Sequence, residues 1–161
     1  MRKRLHTVIF AFLGVFLLFS TGFAASPEPQ SPQAKQIKAL VDKAAALIES
    51  KGKDAFPEFR KKGGEWHKGD TYIFVNDMKG TTLVNAAFPE LEGKNNLELK
   101  DANGKAITRE FIELLKTKDS GWVDYLWPKP EQTKPSKKSS YVKRVKLGKE
   151  MIYVGAGIYT E

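Results

Sequence analysis

The sequence predicts an α+β domain: one antiparallel sheet of about five strands under a long N-terminal helix. Three observations predict it. From Ala34 to a stop at Gly52, apolar residues recur at helical spacing. Residues 71–86 are dense in β-formers on both sides of the turn Asp77-Met78-Lys79-Gly80, the pattern of a hairpin. After a further helix-periodic stretch, three strand-like segments close the chain in antiparallel succession.

The two ends of the chain bound the domain. Arg2, Lys3 and Arg4 form a basic head, residues 8–19 are apolar, and Gly22 and Ala24 are small residues at the spacing a signal peptidase reads. This is the pattern of a secretory signal peptide over residues 1–24. The alternative is an uncleaved N-terminal anchor in the inner membrane. Residues 25–33 are rich in proline and read as a linker. Residues 34–161 are then a single domain. Removing the signal takes three of the 27 basic residues and none of the 19 acidic ones, so the net charge falls from +8 to +5. A mildly basic domain exported to the periplasm, with lysines spread along the chain, is not a nucleic-acid binder. The chain has no cysteine. Disulfides, c-type haem, thiolate metal sites and lipid attachment through cysteine are thereby excluded.

The elements follow in order. Ile37, Leu40, Val41, Ala44, Leu47 and Ile48 make one apolar stripe on the first helix. Residues 54–62 read as a second, shorter helix, with Asp54 as its cap, Pro57 in its first turn and Phe56 and Phe59 on one side. Residues 66–70 are a connector. Residues 71–76 and 81–86 are the hairpin strands, and residues 88–99 are irregular. Asp101-Ala102-Asn103-Gly104 is a turn by composition. Residues 107–116 form a helix with Thr108 at the cap position. Residues 121–127 alternate, which sends Val123, Tyr125 and Trp127 to one face of a strand and Trp122, Asp124 and Leu126 to the other. Residues 131–139 read as a polar loop, residues 141–147 and 151–159 as the last two strands, and Gly148-Lys149 as the turn between them.

Catalysis finds little support. His67 is the single histidine beyond the signal, and it reads as a loop residue. No Gly-x-Ser-x-Gly elbow, cysteine nucleophile or His-Glu-x-x-His pair is present. Residues 101–104 resemble the start of a calcium loop, but Lys105 takes the third acidic position and no glutamate follows at the required distance. Gly155-Ala156-Gly157 lies inside a strand, where glycine marks close backbone approach rather than a dinucleotide site. The chain therefore reads as a non-enzyme with no cofactor and no metal.

Binding finds more. With one sheet face under the first helix, the segments 88–99 and 131–139 are the available covers of the other. That second face collects Tyr72 and Phe74, Asn85, then Tyr125 and Trp127, with Tyr141 and Lys143 on the next strand. Tyrosine hydroxyls, an indole N–H, an amide and one ammonium suit a small carboxylate. The same alternation serves a packed core with a solvated lysine equally well.

The order and spacing of several short motifs resemble the single Cache domain family, the extracytoplasmic sensor modules of bacterial chemoreceptors and kinases. They are Phe56-Pro57-Glu58-Phe59-Arg60; Trp66-x-x-Gly69-Asp70-x-Tyr72-Ile73-Phe74-Val75; Asp77-x-x-Gly80; Gly93-Lys94-Asn95; and Asp101-x-Asn103-Gly104-Lys105. Gly121-Trp122-Val123-x-Tyr125-x-Trp127-Pro128-x-Pro130, Lys138-Ser139-Ser140-Tyr141-Val142-Lys143 and Val154-Gly155-Ala156-Gly157-Ile158-Tyr159 follow. The resemblance implies a PAS-like five-stranded antiparallel sheet and a pocket for a small ligand, often a short organic acid. Family members commonly carry histidine near the end of the second strand, where this chain has Asn85. A receptor of the family continues into a membrane span and a signalling domain. This chain, ending at Glu161, resembles a free-standing periplasmic member that presents its ligand to a membrane-bound signalling partner and pairs as a homodimer through its N-terminal helix. The contrasting expectation is a structural or interaction protein of the cell envelope that keeps the fold without the ligand.

Overall fold

The computed structural model describes residues 26–160, so the signal peptide lies outside the described residues. Helix α1 (Pro32–Lys51) starts where Ser31 accepts the Ala34 N–H at 3.0 Å and proline occupies the first turn. It begins two residues before the predicted domain boundary. It stops at Gly52, whose φ of 61° only glycine adopts freely, with its N–H donating to the Ile48 carbonyl. The buried face of α1 runs through Ala34, Ile37, Val41, Ala44, Ala45 and Ile48. Burying Ile37, Val41 and Ile48 contributes about 1.5–3 kcal/mol each, and the alanines less.

A 3-10 turn (Gly52–Ala55) and the short helix α2 (Phe56–Phe59) follow. The single helix expected over residues 54–62 is thus two short pieces. Asp54 lies in the first turn of the 3-10 piece and no side chain caps either one. Phe56 and Phe59 are both buried, as their spacing requires.

The strand expected over residues 71–76 is also two pieces. Strand β1 (His67–Lys68) lies in the expected connector and pairs with β2 (Thr71–Tyr72) in a separate two-stranded sheet. Ile73 donates its N–H to the Trp66 carbonyl at 2.9 Å and turns the chain into β3 (Phe74–Asp77). Strands β3 and β4 (Thr82–Asn85) form the hairpin, β5 (Ser120–Pro128), β6 (Pro135–Leu147) and β7 (Glu150–Thr160) close the chain, and the main sheet runs β4-β3-β7-β6-β5. All its pairs are antiparallel.

Residues 135–139, expected in a loop, are strand. They carry Lys and Ser, which composition assigns to solvent, but β6 is paired to β5 on one edge and β7 on the other. Ladder pairing on both sides outweighs propensity there. The true loop ends at Lys134, with Glu131 at a φ of 64°.

The sheet carries a separate core on each face. On one, α1 packs over Val75, Trp122, Tyr141, Val145, Ile152 and Val154. On the other, helix α3 (Ile107–Thr117) packs Ile107, Phe111, Ile112, Leu114 and Leu115 over Phe74, Val123, Tyr125, Val142 and Tyr153. The second cover is therefore α3 with the segment 87–99, and not the loop after β5. Thr108 does not cap α3. Ala106 occupies the cap position without a side-chain bond, and Thr108 is buried inside the first turn.

The outer edge of β5 is closed without a sixth strand. Ser26 donates its N–H to the Trp122 carbonyl (2.9 Å), and its hydroxyl accepts from the Asp124 N–H (3.0 Å). Lys105 Nζ reaches the Asp124 carbonyl at 2.5 Å, and Asp101 Oδ2 accepts from the Leu126 N–H at 2.9 Å.

Candidate functional site

The register across the sheet decides which side chains share the α3 face. Phe74 stands opposite Gly155, Gly155 opposite Val142, and Val142 opposite Gly121. Two residues along, Gly157 faces Ser140 and Ser140 faces Val123; two further, Tyr159 faces Lys138 and Lys138 faces Tyr125. With side chains alternating, this face of β6 carries Lys138, Ser140 and Val142.

The two glycines of β7 make room. A Cβ on Gly155 would lie 2.4 Å from the Phe74 ring. One on Gly157 would lie 2.3 Å from Ser140 Oγ and 2.7 Å from Lys138 Cε. The lysine chain therefore crosses β7 where a side chain is missing, and its ammonium reaches inward between aromatic rings.

Between the sheet, α3 and the segment 87–99 lies a cavity of about 50 Å³. That is room for roughly three to five waters, or one molecule of a few heavy atoms. Of the predicted site residues, Tyr72, Phe74, Asn85, Tyr125 and Trp127 line it. The Asn85 side chain accepts the Phe88 N–H at 3.1 Å, holding the turn that carries Phe88. Phe88 stands edge-on to both Tyr72 and Trp127, with centroids 5.8 and 5.4 Å away.

Tyr141 and Lys143 are not there. Both face α1. Tyr141 stacks at a tilt on Trp122, 5.4 Å between centroids, and donates its hydroxyl to Ser120 Oγ at 2.8 Å. Lys143 pairs with Asp42 of α1 at 2.6 Å, and the hydrogen bond to that carboxylate raises its pKa. A strand phase displaced by one residue accounts for the correction, since it exchanges the two faces completely.

The cation on the site face is Lys138, which sequence reasoning placed in solvent. It is 2% exposed. Its Nζ donates to the Tyr72 hydroxyl at 2.8 Å and lies 4.0 Å from the centre of that ring, 4.9 Å from the centre of Tyr159 and 6.0 Å from that of Phe74. It forms no ion pair among the described residues. The carboxylate it feels is Asp70, which pairs with Lys129 at 3.1 Å. Burial pushes the Lys138 ammonium down to about 7, with Asp70 opposing. The aromatic cage supplies cation–π attraction but no counter-charge.

Lys138 does not itself line the cavity: it stands behind Tyr72, beside a separate surface cleft, and reaches the cavity through the Tyr72 hydroxyl. The groups that do line the cavity complete its chemistry. Tyr125 exchanges a hydrogen bond with Ser140 Oγ at 2.9 Å. Asn76 and Asn96 both donate to Thr82 Oγ1, at 2.9 and 2.8 Å. The Tyr153 hydroxyl lines the cavity, is buried, and has no partner among the described residues. An orphaned buried hydroxyl calls for a water or a ligand atom. Burial pushes the hydroxyls of Tyr72, Tyr125 and Tyr153 well above their usual range, so each keeps its proton as a donor. His67 does not line the cavity. It is buried in β1 behind Tyr72, and burial, then the charge of Lys62, hold its imidazole below its ordinary range.

The lining residues that the sequence reading missed are Asn76, Thr82, Leu91, Asn96, Leu99, Ile107, Thr108, Phe111 and Tyr153, and it also missed Lys138 behind Tyr72. The signal for Lys138 was present: alternation extended backwards from Val142 passes through Ser140 to Lys138.

Comparison with known proteins bears on the family and the fold. A family model described as the Cache domain matches residues 33–161. The methyl-accepting chemotaxis protein McpP of Pseudomonas putida is 32% identical over 92 residues, covering 57% of this chain and 16% of that receptor. The chain thus spans about a sixth of that relative's length. Among solved structures, a Cache chemosensory domain described for its carboxylic acid recognition is 27% identical with a TM-score of 0.69, covering 80% of this chain and 94% of that one. A periplasmic sensor domain of a chemotaxis protein is 28% identical with a TM-score of 0.66, covering 79% and 94%. A methyl-accepting chemotaxis protein from Vibrio parahaemolyticus is 26% identical with a TM-score of 0.66, covering 79% and 88%.

Proposed function

The chain belongs to the Cache domain family of PAS-like sensor domains, and on that premise we propose that it binds a short monocarboxylic acid outside the cytoplasm. The observation that carries the reading is Lys138, a fully buried lysine with no carboxylate partner among the described residues. A ligand that brings one negative charge completes it. The Tyr72 hydroxyl, bonded to Lys138 and on the wall of the cavity, carries the influence of that charge to the ligand. Trp127, Tyr125 and Phe74 supply apolar walls, and the Tyr153 hydroxyl awaits a polar substituent. One cation and about 50 Å³ favour one carboxylate over two and a short chain over a long one. A carboxylic-acid-recognising Cache domain among the similar structures supports the same chemistry.

Export through a signal over residues 1–24, a linker to residue 33 and one sensor domain beyond it complete the proposal. No helix among the described residues is long and apolar enough to cross a membrane. A membrane-bound signalling partner would read the occupied site, without catalysis. The apolar stripe of α1 is buried against its own sheet, so a homodimer through that helix would use its polar outer face.

Calorimetric titration with a panel of short monocarboxylates and matching dicarboxylates tests the reading. Monocarboxylates should bind and dicarboxylates should not. Lys138→Met should weaken binding about tenfold or more, the value of a charge-assisted hydrogen bond, while Lys143→Met should leave it unchanged. Absence of binding by every acid would favour the scaffold that keeps the fold without a ligand.

A further inference from the structure

The protonation of Lys138 bears on how the proposed carboxylate is recognised, and this inference rests on that reading of the site. An ammonium has three donors and no lone pair; a neutral amine has one lone pair and can accept. Lys138 and Tyr72 share one hydrogen bond of 2.8 Å. When Lys138 is charged, it must donate, so the Tyr72 oxygen accepts and the phenolic proton is left free. When Lys138 is neutral, it can take that proton as acceptor, and Tyr72 then turns its oxygen lone pairs outward. A carboxylate, which only accepts, is welcomed by the first arrangement and repelled by the second.

We propose that this site takes up its carboxylate together with a proton: Lys138 becomes charged as the ligand supplies the counter-charge, and the ammonium then turns the Tyr72 hydroxyl proton toward the ligand. In balance, the empty site, one carboxylate and one proton from solvent give the complex, equivalent to uptake of the neutral acid. No covalent bond is made or broken.

The surroundings leave Lys138 as the group that titrates. From β2, β5 and β7 it meets Tyr72, Tyr125 and Tyr159, whose hydroxyls burial holds protonated. From β3 it meets the Phe74 ring. Asp70 and Lys129 neutralise each other beside Tyr159. His67 lies on the far side of Tyr72, its ring 6.1 Å from the tyrosine ring. In the surface cleft that Lys138 also lines, Asp101 is bound by backbone N–H groups and Lys105 by the Asp124 carbonyl, while the exposed side chains of Asp124, Lys137 and Glu28 lie on its solvent side. The fall of the Lys138 ammonium to about 7 places the change within an accessible pH range.

Calorimetry of the full chain with acetate and propionate, in phosphate and in Tris at the higher pH and in phosphate and in Bis-Tris at the lower, reads the proton count directly. These buffers differ widely in ionisation heat, so the difference in apparent enthalpy gives protons bound per ligand. The expected result is an uptake near one proton at about pH 8.5, falling toward zero at about pH 6, with affinity dropping about tenfold per pH unit above about 7. Lys138→Arg, whose guanidinium stays charged, should flatten the pH dependence and abolish uptake wherever it still binds. Binding by the parent protein with no proton uptake at about pH 8.5 overturns the inference and leaves the carboxylate reading standing. Failure to bind either acid at any pH overturns the reading itself, and the inference with it.

Discussion

A buried lysine without a carboxylate opposes folding wherever the unfolded chain is charged. The Lys138 ammonium is lowered from 10.5 to about 7 in the fold. Between those values the unfolded chain binds a proton that the folded chain does not, so stability rises with pH across that window. Lys138→Met should therefore stabilise the ligand-free protein by roughly 2–5 kcal/mol near neutral pH, with the gain fading toward about pH 10.5. Urea denaturation of both proteins from about pH 6 to 10 checks this, and a gap that stays constant would contradict it. The same lysine marks the limit of what residues alone reveal. Tyr72, Phe74, Asn85, Tyr125 and Trp127 were legible because aromatic alternation survives inspection without a register. Lys138 sat in a Lys/Ser run whose composition resembles solvent-facing chain. Choosing Tyr141 as the inward residue slipped the phase by one and put Lys143 in its place.

Among the elements, β5 depends on an edge closed by side chains. Asp101 accepts three N–H groups, those of Asn103 and Lys105 on Oδ1 and that of Leu126 on Oδ2. Burial would raise its pKa, but these backbone donors and the charge of Lys105 outweigh burial and lower it. Its contribution is present above the ordinary carboxylate range and is lost as pH falls through its lowered value. Asp101→Ala should destabilise the fold by about 1–3 kcal/mol. It should also speed amide hydrogen exchange at Leu126 by about tenfold or more, which mass spectrometry or NMR measures. Unchanged exchange would mean that the edge is held by other contacts. Helix α1, the β3–β4 hairpin and α3 were legible because their apolar spacing matches a single period. The 71–76 strand was divided, since Ile73 redirects the backbone where tertiary pairing demands it, and the 54–62 helix was divided into a 3-10 turn that ends at Ala55 and the short α2. The start of β6 was hidden because pairing to two neighbours, which no local pattern records, holds it.

Across the whole molecule, the sheet separates stability from recognition. Its α1 face is packed solid, and Ile48 is fully buried there. Its α3 face holds the cavity. Ile48→Ala should lower stability by about 2–4 kcal/mol while leaving acetate affinity within about twofold, a comparison that thermal melting and calorimetry on the same preparation provide. Phe111, which stacks on Phe74 at 5.6 Å and lines the cavity, is its counterpart. Phe111→Ala should shift preference toward longer acids, read on the same panel, and an unaltered ranking would place the ligand elsewhere. The arrangement of β7 has an evolutionary consequence. Glycine and alanine differ by one nucleotide and one carbon. At position 157 that carbon falls where the lysine chain must pass, so a single nucleotide change displaces Lys138 from the proposed site while the α1 face continues to specify the fold.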